Sequence, residues 1–102
     1  MYKRQPEGRI TVEVLNGTKR PGVARAATRM LRRRGLDVVF FGNADAAVDS
    51  TQVVVRRGDS AAGREVRQAI GTGRLVVQPD TFRRVDVSVI LGPDFRPKVA
   101  GP

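Results

Sequence analysis

Val14 to Leu36 reads V-L-N-G-T-K-R-P-G-V-A-R-A-A-T-R-M-L-R-R-R-G-L. It runs from the end of an alternating strand through a Gly-bearing loop into an amphipathic helix. Upstream, Ile10, Val12 and Val14 alternate with Thr11 and Glu13, which predicts a half-buried strand over Ile10–Leu15. Asn16-Gly17 supplies turn chemistry, since both residues tolerate positive φ. Pro21 or Gly22 opens the helix, because a proline in the first turn loses no hydrogen bond. Val23, Ala24, Ala27, Met30 and Leu31 form its buried stripe, and Arg25, Arg29, Arg32 and Arg33 fall on the exposed side. Gly35 is the expected residue just past its end.

The rest of the chain repeats this grammar. Leu36–Phe41 is β-branched and aromatic and predicts a second strand. A loop of small and acidic residues over 42–50 leads to a third strand at Thr51–Arg56. Arg57-Gly58-Asp59-Ser60 ends it as a turn, with Asp59 or Ser60 capping a helix over Ala61–Ile70. Ala62, Val66, Ala69 and Ile70 face inward there. Leu75–Val77 is a short strand closed by Gln78-Pro79-Asp80. Val85–Leu91 alternates with Val85, Val87, Val89 and Leu91 inward and Asp86 and Ser88 outward. The order β-α-β-β-α-β-β predicts an α+β class and a two-layer α/β plait. The plan is a ferredoxin-like split β-α-β with one extra short strand, assigned to Leu75–Val77 as an edge hairpin. One sheet face is covered by helices and the other is partly solvated.

Composition bounds the chemistry. The chain has 102 residues, enough for one domain with a modest core. Residues 1–8 read as a linker or an artificial start, 9–95 as the domain and 96–102 as a tail. Nineteen basic against ten acidic residues give a net charge of +9. Sixteen of the basic residues are arginine, whose guanidinium recognises phosphate and carboxylate in a bidentate way. GC-rich coding produces the same bias. There is no Cys and no His, so thiolate chemistry, a Ser-His triad and the commonest metal ligand are excluded. The aspartates are scattered and offer no acid/base pair or metal spacing. The expected sets of catalytic, cofactor-binding and metal residues are all empty. Five aromatic residues are too few for a single-strand stacking platform. No apolar run is long enough to span a membrane.

Val14–Leu36 holds seven basic residues and no acid. An ordinary solvated helix face mixes charges and gains i,i+4 pairs, whereas this one repels itself. Lys19, Arg20, Arg25, Arg29, Arg32 and Arg33 are therefore the candidate anion- or polymer-binding residues. Gly17–Gly22 mimics the first half of a phosphate-binding loop, but Val23-Ala24 stands where that motif needs Lys and Ser or Thr. An anion at this helix start and a plain strand-to-helix turn are both open readings.

Val12-Glu13-Val14-Leu15-Asn16-Gly17-Thr18, then Pro21-Gly22-Val23-Ala24, then Leu31 and Gly35-Leu36-Asp37-Val38, resemble the opening of the LytR C-terminal domain family. Thr51–Val55 and Asp86–Gly92 fit that family's closing strands. The resemblance spans about Arg9 to Phe95. It implies an α/β plait and a non-catalytic accessory domain of bacterial envelope proteins, often following a LytR/CpsA/Psr catalytic domain. It carries over no catalytic residue; Asn16, Gly17, Thr18 and Gly22 match its loop motif as turn-formers. It implies an extracytoplasmic location, with any membrane anchor outside this chain. The expected partners are an acidic wall polymer, peptidoglycan or an envelope protein. A nucleic-acid-binding module and an oligomerisation domain are the alternatives.

Overall fold

In a computed structural model, which describes residues 9–97, the elements follow the order β1 (Thr11–Asn16), α1 (Val23–Arg33), β2 (Asp37–Asn43), β3 (Gln52–Val55), α2 (Ser60–Ile70), β4 (Arg74–Val77) and β5 (Val87–Leu91). The α+β class, the two layers and the element order are those read from the pattern. Residues 1–8 and most of the expected tail lie outside the described residues.

Strand pairing departs from a split plait. The sheet order is β2-β1-β5-β3-β4. β1 pairs directly with β2, and β3 with β4, both in parallel, so neither β-α-β unit is split by a strand of the other. β5 enters between the halves, parallel to β1 and antiparallel to β3. β4 is consequently a parallel edge strand and not half of a hairpin. The composition of β5 explains its place: Val87, Ser88, Val89 and Leu91 are all buried, which requires a neighbour on each side.

Both helices lie on one face. α1 packs on β1 and β2, α2 on β3, β4 and β5, and the helices touch each other. The core between the layers joins Val12, Val14, Val53, Val87, Val89 and Leu91 of the sheet to Val23, Ala27, Leu31, Val66 and Ile70 of the helices. The thinnest dimension, 20 Å, matches two layers at the usual ~10 Å spacing. Phe95, placed at the boundary of the expected tail, is fully buried in this core. Asp94 holds it there: its Oδ1 accepts from the Thr51 amide at 2.8 Å and the Thr51 hydroxyl at 2.7 Å.

The helix ends follow local chemistry. Asp59 caps α2, its carboxylate accepting from the Ala61 amide at 3.0 Å. At the end of α1, Gly35 adopts φ 81°, where a Cβ would be strained. Its N–H reaches the Arg32 carbonyl and the Leu36 N–H reaches the Leu31 carbonyl, so the chain turns sharply into β2 with Leu31 and Leu36 buried together.

Candidate functional site

The loop that delivers α1 is closed on itself. The Asn16 side-chain amide donates to the Arg20 carbonyl at 2.9 Å, and its oxygen accepts from the Thr18 amide at 2.8 Å and hydroxyl at 2.6 Å. The Arg20 amide donates to the Thr18 hydroxyl at 3.0 Å, and the Gly17 amide to the Leu91 carbonyl at 2.9 Å. A phosphate cradle needs such N–H groups pointing outward; those of Gly17, Thr18 and Arg20 are engaged inside the protein. Gly17 is fixed by space, since a Cβ would stand 2.8 Å from both the Leu91 oxygen and a Val48 methyl. The Asn-Gly-Thr motif is a turn, and the phosphate-loop likeness ends there.

α1 then presents its charge. Gly22 precedes it at φ 83° without a side-chain cap, and no acid lies in the first turn. Val23, Ala24, Ala27, Thr28 and Leu31 are buried, which turns Arg25, Arg29, Arg32 and Arg33 outward. Among the described residues the ion pairs are Arg57–Asp86, Arg83–Glu13 and Arg83–Asp80. None involves a cation of α1 or its loop.

The six expected residues do not form one uniform face. Arg29 is exposed in the middle of the helix. Arg25 borders a cleft of about 210 Å³ with Asn16, Gly22, Phe41 and Asn43 on the β2 side. Arg32 leans the same way, its guanidinium donating to the Val38 carbonyl at 2.8 Å. Arg33 borders a cleft of about 220 Å³ on the α2 side with Met30, Arg34 and Gln68. Lys19 is exposed on the loop. Arg20 is half-buried and donates to the Phe95 carbonyl at 3.0 Å, so it anchors the end of the fold.

Two polar clusters escape a reading of strands one at a time. Glu13 and Ser88, expected on the solvated side, are buried on the sheet face away from the helices. The Ser88 hydroxyl donates to Glu13, Arg83 donates to the same carboxylate at 2.7 Å, and Arg56 donates to Ser88 at 3.0 Å. Desolvation, followed by the Arg83 charge, lowers the Arg56 pKa from its ordinary value. In the second cluster, burial pushes the Asp94 carboxyl up, but the hydrogen bonds from the Thr51 hydroxyl and amide outweigh it and hold the group below its ordinary pKa. The signal for the first cluster was the lone acid of β1. Its partners come from β5 and the 78–86 connection, and only the topology brings them together.

Among the described residues no group of three or more His, Cys, Asp or Glu is placed to hold a metal ion, and no helix is long and apolar enough to cross a membrane.

A family model described as the LytR cell envelope-related transcriptional attenuator, LytR_C, matches residues 9–95. No curated protein matches the chain. Among solved structures, the chain is similar to the soluble domain of a conserved hypothetical secreted protein from Mycobacterium marinum, an Rv2700 ortholog. The TM-score is 0.73 at 23% identity, covering 92% of this chain and 66% of that one, so the chain spans slightly less than two thirds of that neighbour. It is also similar to the C-terminal domain of RV0431, with a TM-score of 0.51 at 19% identity, covering 90% of this chain and 79% of that one. At these identities the likeness is one of fold.

Proposed function

We propose a function from the premise that this chain belongs to the LytR_C family. It is a non-catalytic accessory domain of a bacterial envelope protein, working outside the cytoplasm and binding an acidic wall polymer through the outer face of α1. Lys19, Arg25, Arg29 and Arg33 make the contacts, and Arg20 and Arg32 fix the loop and the helix beneath them. One observation carries this reading: the α1 cations are exposed on a rigid helix and, among the described residues, none meets a carboxylate. Unpaired guanidinium groups of one sign raise the local concentration of polyanions and pair bidentately with phosphate or carboxylate. The family and the secreted origin of one structural neighbour support the compartment. The absence of His and Cys supports a binding role over catalysis.

Co-sedimentation with purified sacculi, with and without their anionic polymers, tests this at about 0.15 M salt, where the Debye length is about 8 Å. The domain is expected to be retained in the presence of competing DNA and released when the polymers are stripped. The Arg29→Glu/Arg33→Glu variant should lose retention while keeping its melting temperature. Complete displacement by DNA would turn the reading toward nucleic acid. Unchanged retention of the variant would remove α1 from the site.

A further inference from the structure

Among the described residues the sheet has two open edges, and they differ. β4 has four residues, begins with Arg74 and is followed two positions later by Pro79. Short length, charge and proline are the usual devices that keep an edge from pairing. β2 has seven residues, D-V-V-F-F-G-N, with neither charge nor proline between Asp37 and Asn43. Val39 is 53% exposed, Phe40 55% and Phe41 39%. Its guards all lie near its start, where Asp37 supplies a charge. The register shifts between Val38 and Phe40, leaving Val39 as the extra residue, and Arg32 occupies the Val38 carbonyl. The stretch Phe40–Asn43 is left open.

The surroundings of that stretch select its occupant. Phe41 pairs with Val14, on the helix side, and shares a cleft with Arg25. Phe40 pairs with Glu13, on the other side of the sheet. A strand added along β2 therefore sends alternate side chains to a cationic side, set by Arg25 and Arg32, and to an apolar side, set by Phe40. A second copy of this chain fits poorly. Antiparallel β2–β2 pairing about a two-fold axis keeps both helix layers on one side and brings Arg25 of one copy toward Arg32 of the other. Like charges so placed oppose association.

We propose that β2 is a docking edge for an extended polypeptide segment of another protein in which acidic and apolar residues alternate, adding a sixth strand to the sheet. This goes beyond the polymer reading: it rests on the β2 backbone, Phe40, Arg25 and Arg32, whereas polymer binding shares Arg25 with it and adds Lys19, Arg29 and Arg33, of which Arg29 and Arg33 separate the two.

The probe is a blocked nine-residue peptide of alternating glutamate and valine, titrated into the full chain and followed by amide shifts in two-dimensional NMR. A lysine-valine peptide and vesicles of anionic lipid serve as separate arms. The expected result is saturable shifts confined to β2 and the Arg25 and Arg32 region with the acidic peptide alone. Phe40→Glu should weaken the peptide by at least about tenfold, because it replaces the apolar surface that meets the peptide's valines with a charge. Arg25→Glu should do the same, and Arg29→Glu/Arg33→Glu should leave it unchanged. Absence of β2 shifts, equal binding of the lysine peptide, the same β2 shifts with vesicles, or dimerisation through β2 would each overturn the proposal. The two readings fail separately: peptide binding without sacculus retention removes only the polymer, and retention without β2 shifts removes only the added strand.

Discussion

α1 and α2 are both 11 residues long and lie side by side on the same sheet face, yet they use their polar residues in opposite ways. α2 turns them inward on its own architecture. Asp59 caps it, Arg64 reaches the Ser60 hydroxyl at 3.0 Å and Arg67 reaches the Gly73 carbonyl. It carries Glu65 among its arginines. α1 has no acid and no side-chain cap, and leaves Arg25, Arg29 and Arg33 directed at solvent. Helices of equal length on one sheet face need not use their charges alike: those of α2 serve its own ends, and those of α1 are left to solvent.

The comparison first requires that α1 be as firmly seated as α2. Leu31 and Val66 are both fully buried. Leu31→Ala should cost about 2–5 kcal/mol and Val66→Ala about 2 kcal/mol in urea denaturation. A cost below about 1 kcal/mol for Leu31→Ala would make α1 an appendage and break the comparison. A second test addresses the half that holds α2. Asp94 links the start of β3 to the loop after α2, its second oxygen accepting from Thr72 at 3.2 Å. Asp94→Ala should cost about 1–3 kcal/mol at neutral pH. Because the folded carboxyl titrates below its unfolded value, the link contributes fully above about pH 4 and fades as pH falls through the folded pKa. The gap between wild type and variant should therefore close in acid. A gap independent of pH would mean that the alanine acts through packing alone.

The smallest effects separate the helices most directly. Asp59→Ala removes the α2 cap and should cost about 1 kcal/mol. Arg29→Glu replaces two like-charge i,i+4 neighbours, Arg25 and Arg33, with attractive ones, and should leave stability unchanged or raise it by about 0.5 kcal/mol. Thermal melts of the two variants at low salt check both signs. A marked loss from Arg29→Glu would show that the α1 charges are structural, as those of α2 are.

Much of the fold was legible because local chemistry and periodicity agreed. Gly35, Asp59 and the alternation of Val87, Val89 and Leu91 each read correctly from neighbours in sequence. The sheet order did not, since nothing local to Val85–Leu91 says which strands flank it. The same non-locality hid Glu13, Ser88, Arg56 and Arg83, which are separated by up to 75 positions and meet on one carboxylate and one hydroxyl. For the candidate site, helical spacing showed which arginines face outward. It could not show that Arg20 is tied to Phe95, or that Arg25 and Arg32 lean toward β2 while Arg33 leans toward α2. The exposure of Phe40 and Phe41 was equally hidden, because an aromatic pair in a strand reads as core until the strand is found at an edge.

The central place of β5 carries a consequence for how the chain is made. Residues 11–43 and 52–77 form two β-α-β halves whose strands do not pair with each other; β5 is the strand that pairs with both. While the ribosome is still adding residues 78–86, each half has one bare inner strand and no complete interior. Synthesis of Val87–Leu91, followed by the seating of Phe95, closes both at once. The domain is thus fastened by the segment that follows both halves, and a nascent chain cannot complete its sheet until that segment emerges.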